Sequence, residues 1–187
     1  MTAIVGIQGD GWSVLAADTM TEYSNKPFVA DGMIKLIERG DYIFAFAGDG
    51  IAGDLANFMW TPPKLIKTMD LDKFVMTKVL PSLKACFMAN GYNASKEAEK
   101  DDGGFDALLS VNGTIYQITS DFGWMRSSTG LYGVGSGGDL ALGALSAFKR
   151  NKTPEGCTRQ AMKAIEIAAT YNIYVGGDIT VMTQEEF

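Results

Sequence analysis

The chain contains no histidine. That excludes Ser–His–Asp and Cys–His nucleophilic machinery, a histidine general base and any zinc site with imidazole ligands. If chemistry is done here, the base must be a carboxylate, a lysine, a tyrosine, a thiolate or the chain's own α-amino group. Cysteine is scarce: Cys86 and Cys157 match no metal-ligand spacing and cannot make a disulfide framework. No apolar run reaches the roughly 18 residues a membrane-spanning helix needs. The first residues lack the charged and apolar regions of a secretory signal, so a cytoplasmic protein with free thiols is expected. No basic stripe is present and the net charge is −6, which argues against nucleic-acid binding.

What is present is a core. Hydrophobic residues make up 47% of 187 positions, enough for a single domain over residues 1–187. Residues 3–8 (AIVGIQ) and 12–17 (WSVLAA) read as strands joined by a tight Gly-Asp-Gly turn. Residues 33–38 (MIKLIE) and 42–47 (YIFAFA) read as a second pair. Residues 51–60 have helical spacing and end at Pro62-Pro63. Residues 72–90 read as a long amphipathic helix broken or kinked at Pro81. The polar stretch 93–104 reads as a mobile loop. Strands follow at 105–111, 114–119 and 131–134, then a helix from GSGGD to about Lys149. Thr153-Pro154-Glu155 caps a further helix running to about Thr170, and strands near 172–175 and 178–183 close the chain. Runs of strands alternating with runs of helices predict an α+β fold, with two sheets between two pairs of helices as a four-layer αββα sandwich.

Four polar residues stand out. Singly, each has an ordinary reading: Thr2 as a strand former, Asp18 as a turn residue, Lys35 as a solvated strand lysine, Ser136 as a helix cap. Jointly they allow another. A threonine at a true N-terminus carries both a nucleophile and an amine whose reference pKa, near 8, lets it accept the hydroxyl proton without a histidine. A lysine and a carboxylate nearby would set the electrostatics, and a glycine amide after a strand would bind an oxyanion.

Thr2 followed by AIVGIQ, VLAAD, IKLIE, AFAGDG, YGVGSGG and IYVGGDITV resembles the proteasome β-type subunits, and among them the bacterial HslV-type peptidase, in the N-terminal nucleophile hydrolase superfamily. The resemblance runs from residue 2 to about residue 183. It implies a threonine peptidase with Thr2 as nucleophile, Asp18 and Lys35 as the catalytic aspartate and lysine, Gly48 as the oxyanion-hole glycine and Ser136 as the serine beside the amine. It implies a pocket for the residue before the cut lined by Thr21, Met33, Phe46 and Gly50, with Phe46 at its floor and a preference for small to medium apolar residues. It also implies a homo-oligomeric ring acting on unfolded polypeptide or peptides, with a ring ATPase as its feeder. No cofactor is expected. Relatives can hold a cation on backbone carbonyls, here around Ala169, Asn172 and Val175. Asn172 and Val175 stand where many β subunits have Asp and Ser, and Met1 precedes Thr2, so activity requires that the methionine be removed. Two other readings stay open: a catalytically inactive structural or assembly protein of the same fold, and an amidohydrolase acting on a small molecule. The GSGG and VGGD segments and the short chain count against the second.

Overall fold

Two antiparallel sheets face each other, and the strand alternation decides what fills the space between and outside them. The computed structural model describes residues 2–23, 26–29, 34–100 and 103–187. Strands β1 (Ile4–Gln8) and β2 (Trp12–Asp18) form a hairpin in the register Ile4↔Ala17 to Gln8↔Ser13. With β10 (Leu131–Val134) and β11 (Ile179–Glu185) they make a four-stranded sheet in the order β10-β1-β2-β11. A small hairpin, β3 (Met20–Tyr23) and β4 (Lys26–Val29), follows β2. The second sheet has the order β5-β6-β7-β8-β9, with β5 (Leu36–Arg39), β6 (Tyr42–Gly48), β7 (Phe105–Val111), β8 (Thr114–Thr119) and β9 (Trp124–Met125).

Because side chains alternate across a strand, each strand feeds two layers. Ile4, Leu15, Ala17, Ile43, Ala45, Leu108 and Ile115 meet between the sheets. Val5, Ile7, Val14 and Ala16 point the other way, onto α5 (Gly138–Ala147) and α6 (Pro154–Tyr171). Tyr42, Phe44 and Phe46 face the opposite outer layer, with α1 (Gly50–Phe58), α2 (Leu71–Phe74) and α3 (Leu80–Ala89). The result is the expected α+β sandwich of four layers, helices–sheet–sheet–helices. One polar seam crosses the middle: the hydroxyls of Ser13 and Ser110 lie 2.6 Å apart, and Ser110 donates to Gln184 Oε1 at 2.8 Å. The Gln184 amide in turn donates to the Asp41 carbonyl at 3.0 Å, so no polar atom is stranded there.

The structure departs from the sequence reading in four places. The helix expected over 72–90 is three segments, α2, a π-helical turn Val75–Val79, and α3. Pro81 is the physical cause: its ring would strike the Thr77 carbonyl in a regular α-turn, and the wider turn relieves that contact. Within 93–104 a short helix α4 (Ala94–Glu97) forms, capped by the Asn93 side chain, which accepts from Lys96 N at 3.3 Å. Residues 172–175 are a turn instead of a strand, closed by Val175 N donating to the Asn172 carbonyl at 3.1 Å. The strand expected from residue 33 is β5, from Leu36, and Met33 lies outside the described residues. Among the described residues no helix is long and apolar enough to cross a membrane.

Candidate active site

The start of β1, the end of β2, the approach to β5 and the end of β6 converge at one end of the sandwich. Asp18 closes β2, in the position opposite Ala3, and its carboxylate is fully buried. Its Oδ1 accepts from Lys35 Nζ at 2.7 Å and from Ala3 N at 2.9 Å, and its Oδ2 accepts from Gly176 N at 3.1 Å. Lys35, just before β5 in the other sheet, is 7% exposed and also donates to the Met20 carbonyl. The ion pair therefore bridges the two sheets. Burial pulls the Lys35 ammonium below its ordinary value, and the Asp18 charge and hydrogen bond oppose that shift. A buried pair of this kind holds only when its remaining lone pairs are satisfied; the two amides do that for Asp18.

Thr2 stands beside this pair, its backbone N donating to Ser136 Oγ at 3.2 Å. Its carbonyl accepts from Gly137 N at 2.9 Å, so the segment entering α5 grips the start of β1. That grip explains the glycines of YGVGSGG. Gly135 has φ +84°, and a Cβ there would overlap the Thr2 carbonyl. Asn172, a departure from the common pattern, steadies the same segment: its side-chain amide donates to the Ser136 carbonyl at 3.1 Å. Val175 is buried against α6 and the β1 start.

Beyond Thr2 lies an open cleft of about 990 Å³, walled by Gly48, Gly104, Phe105, Ser120 and Ser136 among others. Strand alternation settles which way the Gly48 N–H points. Phe46 N donates to the Lys35 carbonyl and Asp49 N to the Gly104 carbonyl, so the N–H between them at Gly48 turns to the Lys35 side, away from β7. Among the described residues, the cleft lining carries the carboxylates of Glu22, Asp49, Asp106 and Asp121 and no lysine or arginine. Burial pushes the Asp106 carboxyl up, whereas hydrogen bonds from Thr119 Oγ1 and Gly123 N hold that of Asp121 down.

Of the residues singled out in the sequence, Lys35 meets Asp18 and Thr2 meets Ser136 directly, the two pairs being joined through Ala3 N, and Thr2, Gly48 and Ser136 share the cleft. Of the residues expected to line the pocket, Thr21, Phe46 and Gly50 are not in this cleft's lining. Phe46 points into the helix-side core, stacked on Phe44 and edge-on to Phe105. Thr21 lies in β3 and Gly50 opens α1, and neither is among the cleft-lining residues; Met33 lies outside those described. The sequence reading missed Gly176, whose amide holds Asp18, and Gly103–Gly104, which wall the cleft. Backbone donors leave no mark in residue type beyond the glycines themselves.

No family model matches the chain. Proteasome subunit beta 1 of Thermococcus kodakarensis is 26% identical over 189 residues, covering 99% of this chain and 89% of that protein. The structure of BPH from Thiobacillus denitrificans in complex with epoxomicin superposes with a TM-score of 0.68 at 18% identity, covering 100% of both chains. Eukaryotic HslV from Trypanosoma brucei gives 0.66 at 18% identity, over 99% of this chain and 100% of that one. The fold is the one these two proteins share.

Proposed function

We propose, from the chain's standing as a proteasome β-type and HslV-like protein in fold and in full-length sequence similarity, that it is a threonine-type endopeptidase acting within an oligomeric ring. Removal of Met1 would free the Thr2 amine. That amine takes the proton from the Thr2 hydroxyl as Oγ1 attacks the peptide carbonyl carbon. The oxyanion formed accepts from Gly48 N–H. Collapse breaks the C–N bond, and the leaving amine takes the proton from the Thr2 ammonium. Water, deprotonated by the same amine, hydrolyses the resulting ester and restores Thr2. Lys35 favours the deprotonated nucleophile, Asp18 holds Lys35 charged and in place, and Ser136 accepts from the Thr2 nitrogen and aims it.

The observation that carries this reading is the buried Lys35–Asp18 pair, 2.7 Å long, anchored through Ala3 N to the residue next to Thr2. A lysine this buried would be costly as a purely structural element. Exposed apolar residues on α5, α6 and the turn that follows, Leu140, Met162, Tyr171 and Ile173, support assembly through that face, because Ala141, Leu145, Ala164 and Ile165 already fill the chain's own core.

The test is intact mass, assembled size and peptide hydrolysis of the wild type beside Thr2→Ala. A mass short by one methionine, a ring-sized particle and activity lost in the variant are expected. Activity surviving in Thr2→Ala would overturn the nucleophile. A retained Met1 in an inactive chain would favour the non-catalytic reading. Epoxomicin, captured in BPH, is a second probe: it should raise the melting temperature of the wild type and leave Thr2→Ala unmoved.

A further inference from the structure

Asp49 is the N-cap of α1, and its carboxylate makes no capping bond. Aspartate is favoured at that position because its side chain can accept from the first turn's amides. Here Oδ2 accepts instead from Gly104 N at 2.9 Å and from the Tyr92 hydroxyl at 2.8 Å. The backbone shows why. Asp49 N donates to the Gly104 carbonyl at 2.8 Å, continuing the β6–β7 ladder. The return bond of a regular antiparallel pair would run from Gly104 N to the Asp49 carbonyl. That carbonyl has turned away and accepts from Ala52 N at 3.1 Å in the first turn of α1. The side chain supplies the missing ladder acceptor.

This substitution sits one residue after Gly48. Gly48 has φ +96°, in the region that favours glycine, and a Cβ on it would overlap the Gly104 carbonyl. The Gly48–Asp49 segment is thus pressed against Gly104 and held there by two bonds through Asp49. Gly104, with φ +87°, is pressed on its other side against Ser120, whose hydroxyl engages both the N–H and the carbonyl of Phe105. Tyr92 is 7% exposed and packed edge-on to Phe87, so its hydroxyl is a fixed donor. Burial and the Asp49 carboxylate push the Tyr92 phenol up, which keeps that proton in place through the neutral range.

We infer that Asp49 is a positioning residue for the peptidase chemistry: with Tyr92 behind it, it locks Gly48 against Gly104 and so fixes the Gly48 N–H as the oxyanion donor. The inference rests on the peptidase reading above. Asp49 itself touches no reacting atom, and its effect reaches the oxyanion only through Gly48.

The test compares Asp49→Ala, Asp49→Asn and Tyr92→Phe with wild type, in kcat, KM and affinity for a peptide aldehyde. The aldehyde's hemiacetal oxygen samples the oxyanion site, and the matching peptide alcohol samples ground-state binding alone. Asp49→Ala should lower kcat about 10- to 100-fold with KM nearly unchanged, short of the loss of a whole oxyanion donor. Aldehyde affinity should fall by the same factor while alcohol affinity holds. Asp49→Asn keeps an acceptor for both donors and should recover most of the loss. Tyr92→Phe, which keeps the ring packing, should shift kcat and aldehyde affinity in the same direction by a smaller factor. Equal losses in Asp49→Ala and Asp49→Asn, a change in KM alone, or parallel weakening of aldehyde and alcohol would overturn the inference. If Asp49→Ala does not fold, the Asp49→Asn and Tyr92→Phe arms decide, and an unmoved kcat in Tyr92→Phe counts against. Failure of the underlying reading looks different: Thr2→Ala then retains turnover, or wild type forms no aldehyde adduct, and both proposals fall together.

Discussion

Removing Asp18 should cost more stability than removing Lys35, although the two form one ion pair. In Asp18→Ala three donors lose their acceptor: Lys35 Nζ, Ala3 N and Gly176 N. Each buried amide left unpaired costs about 1–3 kcal/mol, and a buried pair broken on one side costs about 3–5 kcal/mol. These terms overlap, because Lys35 keeps its bond to the Met20 carbonyl and can shed its proton, so roughly 4–6 kcal/mol is expected in all. In Lys35→Met the methionine fills the volume of the lysine stem, and the Asp18 carboxylate keeps both amides. The cost should be about 1–3 kcal/mol, since a carboxylate with two N–H donors is well solvated by the protein. The difference, about 2 kcal/mol or more, corresponds to about 4–8 °C in Tm for a chain of this length. Urea unfolding at fixed protomer concentration, with the slope m checked for constancy, measures it. If Lys35→Met costs as much as Asp18→Ala, the amides are not holding the carboxylate and the account of the site's wiring is wrong.

Other outcomes follow from the same geometry. The lowered Lys35 value means that, between its folded value and the ordinary 10.5, the unfolded chain binds a proton the folded chain has released. The Lys35 contribution to stability therefore rises with pH across that window, and the wild-type advantage over Lys35→Met should grow as pH climbs toward 10.5 in urea titrations. A flat difference would contradict it. Gly48→Ala must adopt φ +96° and displace the Gly104 carbonyl, so it should lose about 2–4 kcal/mol of stability, and kcat should fall about 10²-fold or more. Near-wild-type unfolding and turnover in that variant would refute the close approach. On the peptidase reading, the carboxylates of Glu22, Asp106 and Asp121 along the cleft should favour peptides carrying lysine or arginine beside the cleaved bond, with a kcat/KM advantage at low ionic strength that fades as salt rises. Equal kcat/KM for cationic and anionic flanks at low salt would count against this.

Residue type and order alone disclosed a good deal. The absence of histidine confines any catalytic base to a short set, and the alternation in AIVGIQ, WSVLAA and YIFAFA places the layers before any contact is known. The resemblance in order and spacing brought Thr2, Asp18, Lys35, Gly48 and Ser136 forward as a group, and four of these five now stand in direct contact or one residue apart from it, with Gly48 across the cleft. The sequence pattern misjudged what depends on a neighbour far along the chain. Residues 172–175 have strand-forming side chains, but Asn172 and Val175 close a turn that serves Ser136.

Local sequence thus determined the elements and their buried faces, because periodicity is a property of consecutive residues. Only the tertiary structure decided how Asp18 of one sheet meets Lys35 of the other, why Gly135 must be glycine, and why an aspartate at a helix start gives up its cap. Each of these depends on a backbone group more than fifteen residues away or on the facing sheet: the Gly176 amide, the Thr2 carbonyl and the Gly104 amide. Every residue carries those same N–H and C=O groups, so their use as ligands for a side chain cannot be read from residue identity and appears only when the chain has closed on itself.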